Sequence, residues 1–261
     1  MNMADANVMN QFKLEGKVAL VMGGSKGLGK SMALGFAQAG ATTVISARTE
    51  ADCEATALEI SNETGQESIA LAGDVTKEAD VDRIFNAVNE KYGHLDVVVN
   101  SAGINVRHLI EDFPLDEFQK VMDINMTGVW LCCRAAARIM KPQGSGSVIN
   151  VASALSGVGL QERSPYCASK HGLIGLTKTL ALEWASSGVR CNALCPGPFL
   201  TEINVPLLKE PEKVASLLSL TALNRWAELE EIRGAGLFLA SDASSFMTGA
   251  SLYIDGGWNA H

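Results

Sequence analysis

Short β-branched runs, each followed by a turn and a longer amphipathic segment, recur from one end of the sequence to the other. "KVALVM" (17–22) reads as a strand, followed by a glycine-rich turn and a helix through about Ala39. "ATTVIS" (41–46) leads to a helix over about 50–64, and "SIALAG" (68–73) leads to the helix "KEADVDRIFNAVNEKYG". "LDVVVN" (95–100) is almost continuously apolar, as a strand covered on both faces is. A helical stretch over about 115–141 precedes the strand "SVINVAS" (147–153). The helix "PYCASKHGLIGLTKTLALEWA" (165–185) follows, with proline in its first turn. "VRCNALCPG" (189–197) is a strand, 198–226 is less regular, 228–241 is a helix and "SLYIDGG" (251–257) is a last strand. Strands alternating with helices imply an α/β fold with a doubly wound parallel sheet and helices on both faces. Ligands of such sheets bind outside the carboxyl ends of the strands. The 261 residues suit one such domain. The expected organisation is a polar N-terminal arm over 1–14 and a single catalytic domain over 15–261, with 198–226 as a substrate lid.

The overall charge excludes some partners. The net charge is −8 and the 21 Lys and Arg residues are scattered, with no basic run or aromatic-basic stripe, which argues against nucleic acid. No apolar run reaches the roughly 18 to 20 residues that span a bilayer, and the start lacks the layout of a signal peptide. The six cysteines (Cys53, Cys132, Cys133, Cys167, Cys191 and Cys195) form no C-x-x-C and have no histidine at ligand spacing, so no metal site is expected. They read as reduced thiols in a cytoplasmic protein. Cys167, next to Tyr166, is the one that a pocket wall would expose.

"MGGSKGLGKS" (22–31) lies between the first strand and the first helix, with Gly23, Gly27 and Gly29 spaced G-x-x-x-G-x-G. Glycines let the backbone turn sharply and approach a pyrophosphate, whose charge then meets a helix N-terminus. In that context the turn, including Ser25, Lys26 and Leu28, reads as a nucleotide cradle. An acid at the end of the second strand would select NAD. Here Ala47 stands in that place and Arg48 follows, and Lys26 lies in the turn, so the expected cofactor is NADP(H) in preference to NAD(H). Arg48 and Lys26 as plain solvated charges remain the alternative. Asp74 and Val75 at the end of the third strand, and Asn100, Ala102 and Gly103 at the end of the fourth, are further candidate cofactor contacts. Asp74 and Asn100 also suit structural caps.

Together, "GGSKGLG", "DV", "NSAG", "YCASK" and "CPGPFLT" resemble the short-chain dehydrogenase/reductase family, in the family's order, from about Lys17 to Trp258. The resemblance implies a single-domain Rossmann fold with seven parallel strands that moves hydride between NAD(P)(H) and a carbinol or carbonyl. It implies four catalytic residues: Asn125 in "INMTG", Ser153 in "NVASALSG", and Tyr166 and Lys170 in "YCASK". It also implies cofactor contacts from Tyr166, Lys170, Pro196, Gly197, Phe199 and Thr201, with Thr201 at the nicotinamide carboxamide, and a homotetramer packed through its long helices. One position departs: the family usually has threonine before the first motif glycine, where this chain has Met22, so a repacked turn is expected.

The chemistry gives an independent reason for two of these residues. A free phenol has a pKa near 10, so forming phenolate at pH 7 costs about 4 kcal/mol. Residues four apart share a helix face, which sets Lys170 beside Tyr166, and a nearby cation favours phenolate. Ser153 then orients the substrate oxygen, and Asn125 interrupts its helix and holds a water for Lys170, a role the family implies. The four histidines make no triad, and His171 reads as structural.

Substrate contacts are expected from 104–112, 154–164 and 198–226, with Arg107 and Arg163 the cations best placed to meet an acidic substrate. The C-terminal third resembles gluconate 5-dehydrogenase-like members, so the leading expectation is a small hydroxy or keto compound such as gluconate or 5-ketogluconate. A 3-oxoacyl-[acyl-carrier-protein] reductase is the second reading. A non-catalytic NADP-binding regulator is the third, against which the complete tetrad argues.

Overall fold

The first strand shows why the sheet is buried on both faces. In β1 (Val18–Met22) all five side chains are buried. Val18, Leu20 and Met22 enter one core with Phe85, Leu131 and Trp184, while Ala19 and Val21 enter the other with Phe36, Ile60 and Leu239. Successive residues of a strand point to opposite faces, so an unbroken apolar run is what a two-sided sheet requires. This computed structural model describes residues 7–260, apart from the side chains of Ile203 and Pro206. The first six residues of the expected arm, and His261, lie outside the described residues.

The remaining elements are α1 (Gly27–Gln38), β2 (Thr42–Ser46), α2 (Glu50–Thr64), β3 (Ser68–Ala70), α3 (Glu78–Tyr92) and β4 (Val97–Asn100). Then come α4 (Leu115–Met122), α5 (Gly128–Gln143), β5 (Gly146–Val151), α6 (Ser164–Trp184), β6 (Val189–Pro196), α7 (Pro211–Leu218), α8 (Glu231–Ala240) and β7 (Ser251–Ile254). The sheet has seven strands in the order β3-β2-β1-β4-β5-β6-β7, and every pair is parallel. The order reverses between β1 and β4, where Met22 pairs with Asn100. This crevice at the carboxyl ends is where such a sheet binds ligands. Among the described residues no helix is long and apolar enough to cross a membrane.

Several boundaries differ from the sequence reading. β3 stops at Ala70 because it is an edge strand with one neighbour; Leu71 and Gly73 still donate to the Ile45 and Ala47 carbonyls. The stretch expected as one helix over 115–141 is broken by a π-helical turn at Asp123–Thr127, closed by Gly128 N–H donating to Asp123 O. β5 ends at Val151, which leaves Ser153 beyond the strand. Leu14, assigned to the arm, is buried and donates to Ala39 O at 2.8 Å, so it belongs with the domain. Ahead of it, Val8–Phe12 form a 3-10 turn. The irregular segment holds a 3-10 stretch, Glu202–Lys209, and α7.

Candidate active site

A cleft of about 390 Å³ opens at the crevice between β1 and β4. Its floor is the glycine turn. Gly23 has φ +81° and donates to Ser46 O at 2.7 Å; a Cβ there would lie 2.5 Å from Ala102 N. The turn thus presses against the strand-four loop with no room for a side chain. Gly27, at the N-terminus of α1, has φ +53° and faces Thr201 at ordinary contact distance. Ser25, Lys26 and Leu28 line the cleft beside them. Gly29 does not; its Cβ would fall 2.1 Å from Gly23 O. Its assignment as a cofactor contact is corrected to a packing role that lets the turn close on itself.

The cleft walls come from the ends of the other strands. Ala47 and Arg48 line it after β2, with no carboxylate at the strand end. The Lys26 ammonium lies 3.2 Å from Asp52 on α2, which pushes its pKa up and divides its charge between Asp52 and the cleft. Asp74 and Val75 line the cleft, and Asp74 also accepts from the Thr76 N–H and hydroxyl at 3.0 and 2.8 Å. Ala102, Gly103, Pro196, Gly197, Phe199 and Thr201 also line it.

Asn100 does not reach the cleft. It is buried and donates to Asn150 Oδ1 at 2.9 Å, and Asn150 in turn donates to Thr177 at 3.0 Å. Its role is a polar tie linking β4, β5 and α6, and the cofactor assignment is corrected accordingly. Met22, flanked in register by Ser46 and Asn100, is in the core. The buried Ser46 Oγ and Asn100 Oδ1 are left without partners, while both glycine-turn bonds to Ser46 O persist.

Ser153, Tyr166 and Lys170 meet on one wall of the cleft. Ser153 caps the 3-10 turn Ala154–Ser156, accepting from Leu155 N at 3.1 Å. The C-terminal segment buttresses this turn, with Asn259 donating to Ala154 O at 3.0 Å and Trp258 lining the cleft. Tyr166 stands in the first turn of α6, started by Pro165, and Lys170 follows one turn later with its ammonium 5.6 Å from the phenol ring centroid. Lys170 is 4% exposed and donates to Val151 O at 2.8 Å. Burial pushes its pKa down to about 8. Burial also raises the Tyr166 phenol, against a lowering contribution from the Ser153 hydroxyl. The geometry for an acid-base pair is present, but the phenol is not acidified in this state.

Asn125 lies in the π-turn and is fully buried. Its side chain accepts from Ile104 N and donates to Ile104 O, both at 2.9 Å. It therefore holds the loop after β4 and does not line the cleft. Behind Gly103, its Oδ1 and the Lys170 ammonium lie 3.4 and 3.6 Å from where a Cβ would sit. His171 is structural, bonded to Cys167 O at 2.9 Å, and Cys167 packs in a small apolar cluster with Leu155 and Trp258.

The sequence reading missed Asn150 and Trp258. A lone amide inside an apolar strand and an aromatic just past the last strand were the available signals. It also did not single out Asn105, whose Oδ1 is buried without a partner while the residue lines the cleft.

The sequence profile of the family described as "Enoyl-(Acyl carrier protein) reductase" matches residues 23–259. The chain is 37% identical over 247 residues to a D-threitol dehydrogenase of Mycolicibacterium smegmatis, covering 95% of this chain and 94% of that one. It is 38% identical over 246 residues to a 3-oxoacyl-[acyl-carrier-protein] reductase of Synechocystis, covering 94% and 97%. Among solved structures, a gluconate 5-dehydrogenase from Burkholderia cenocepacia in complex with NADP and tartrate matches with TM-score 0.94 and 34% identity, covering 98% of this chain and all of that one (100%).

Proposed function

The chain belongs to the short-chain dehydrogenase/reductase family of oxidoreductases, and on that premise we propose that it moves a hydride between a nicotinamide dinucleotide and a small polar hydroxy or keto compound. The observation that carries this reading is the convergence of Ser153, Tyr166 and Lys170 on the wall of the cleft floored by the glycine turn. The cradle fits a dinucleotide: Gly27, without a Cβ and with only Thr201 near that position, stands at the N-terminus of α1, where a pyrophosphate is favoured. When bound, the cofactor supplies the hydride chemistry. Gly23, Ser25, Lys26, Gly27 and Leu28 would hold its phosphates, Asp74 and Val75 its adenine, and Thr201 its carboxamide. Ser153 orients the substrate oxygen and Tyr166 exchanges a proton with it. Lys170 is the cation that favours phenolate, and Asn125 is a positioning residue acting through Ile104. The apolar lining from Leu155, Leu160 and Leu217 keeps water from the reacting carbon.

NADP(H) is the preferred cofactor in this reading. Arg48 lines the cleft with no carboxylate at the end of β2, and Lys26 adds part of a second charge. The chain is proposed to act as a cytoplasmic homotetramer. Six free thiols suit a reducing compartment. Exposed Trp130 on α5, Leu182 on α6, and Leu115 and Phe118 on α4 suit burial between subunits. In this reading residues 7–13 belong to the arm, and 198–226 form the lid.

Steady-state kinetics with both cofactors test the preference. The expected result is a higher kcat/KM with NADP than with NAD, and about a 10-fold loss on NADP for Arg48→Ala, with NAD changed far less. Equal or better rates with NAD contradict it. Reduction of 3-oxoacyl thioesters is the second reading, favoured by the Synechocystis relative; the net charge of −8 opposes docking of an acidic carrier protein. Activity confined to acyl thioesters decides for it.

A further inference from the structure

Two loops meet at the mouth of the cleft. One follows β4 and carries Asn105 and Arg107; the other joins the Ser153 turn to α6 and carries Glu162 and Arg163. His108 N–H donates to Glu162 O at 3.1 Å, so Arg107 and Arg163 flank the joint directly. Glu162 has φ +63°, in the left-handed region that a residue with a Cβ rarely adopts. Strained backbone of this kind persists where the surroundings fix it and gathers at ligand sites. Here the strained residue immediately precedes Arg163, whose guanidinium donates to Gln161 O at 2.9 Å and lines the cleft with Arg107.

Neither arginine has an ion pair among the described residues. Burial depresses the Arg163 pKa, and repulsion from Arg107 depresses it further, against an opposing pull from Glu162. Lys213 on α7 lies within range of both Arg107 and Glu162, although its own partner is Glu210 at 2.6 Å. Two neighbouring guanidiniums that pair with no carboxylate among the described residues are costly together unless an anion joins them, and their planar forks fit a carboxylate.

We propose that Arg107 and Arg163 clamp the substrate's carboxylate, which makes the substrate a small hydroxy or keto carboxylate rather than a neutral polyol or an acyl thioester. This rests on the reading that the cleft holds the reacting carbon, and it assigns specificity to two residues outside the tetrad. The two loops set the carboxylate at the mouth, so the carbon that reaches Ser153 and Tyr166 lies some way along the chain from the acid group.

Calorimetric binding of D-gluconate and D-glucitol, the same carbon chain without the carboxylate, tests the clamp in the wild type, Arg107→Gln, Arg163→Gln and Arg163→Lys, each checked for folding by thermal melting. Gluconate is expected to bind the wild type at least about 10-fold more tightly than glucitol. Each Gln variant should weaken gluconate by about 10- to 100-fold and glucitol by far less, with partial recovery in Arg163→Lys. Equal binding of the two ligands by the wild type, or equal losses on both in the Gln variants, overturns the clamp. Parallel turnover assays with NADP and NAD separate the two claims. Oxidation of glucitol without selective gluconate binding sinks the clamp and leaves the hydride reading standing. Arginine-dependent gluconate binding without turnover of any alcohol supports the clamp and sinks that reading.

Discussion

Lys170 is an ammonium buried at a cost to the fold. Its pKa is held at about 8, below its ordinary 10.5, because almost no water reaches it. Between about pH 8 and 10.5 the unfolded chain binds more protons at this residue than the folded protein does. Its contribution is therefore least favourable below pH 8 and improves as pH rises through that window. The full difference is about 3 kcal/mol. Denaturant unfolding at about pH 7.5 and 9.5 should show the wild type gaining about 2 kcal/mol relative to Lys170→Met; parallel pH profiles contradict this. The helical spacing of Tyr166 and Lys170 was legible in the sequence because it needs only the period of one helix. The upward shift of the phenol and the downward shift of the amine were not, because they follow from burial by β5, β6 and the Ser153 turn. A raised phenol beside a partly deprotonating amine means that acidification must come with occupancy of the cleft.

At the scale of elements, the glycine turn could be placed from its spacing after β1, but not the separate jobs of its glycines. Gly23 and Gly27 face the cleft, whereas Gly29 meets only the turn's own backbone. Gly29→Ala must push Gly23 O aside, so it should destabilise by about 1–3 kcal/mol and weaken NADP binding. Gly234→Ala, on the exposed side of α8 with nothing within 4 Å, should instead gain up to about 1 kcal/mol. Denaturant unfolding with dinucleotide titration reads both; a Gly29→Ala protein as stable as the wild type contradicts the packing role. The break at Asn125 was expected, and it takes the form of a π-helical turn, a device frequent at functional sites. Glu231, at the start of α8, holds Arg225 through two bonds of 2.7 Å and accepts from Glu228 N, tying the end of the irregular segment to α8 and holding its own carboxyl down at about 2.

For the whole molecule, alternation of strand and helix was enough to give a doubly wound sheet and a site at the strand ends, because connection handedness leaves few other topologies. What alternation cannot give is which loops meet. Arg107 and Arg163 are 56 positions apart, and the His108–Glu162 backbone bond joins their loops. Asn100 stayed open between a cofactor contact and a structural role for the same reason: whether a strand-end amide faces the cleft or the next strand depends on pairing with β5. The fold thus brings the glycine turn, the wall of Ser153, Tyr166 and Lys170, and the pair Arg107 and Arg163 around one cleft. The central claim is that the Tyr166 hydroxyl trades the proton that accompanies hydride transfer. The direct measurement is the rate of NADPH formation by Tyr166→Phe at saturating substrate, beside its NADPH affinity by titration. The account expects kcat to fall by at least about 100-fold with dinucleotide affinity nearly unchanged; a variant that turns over like the wild type contradicts it.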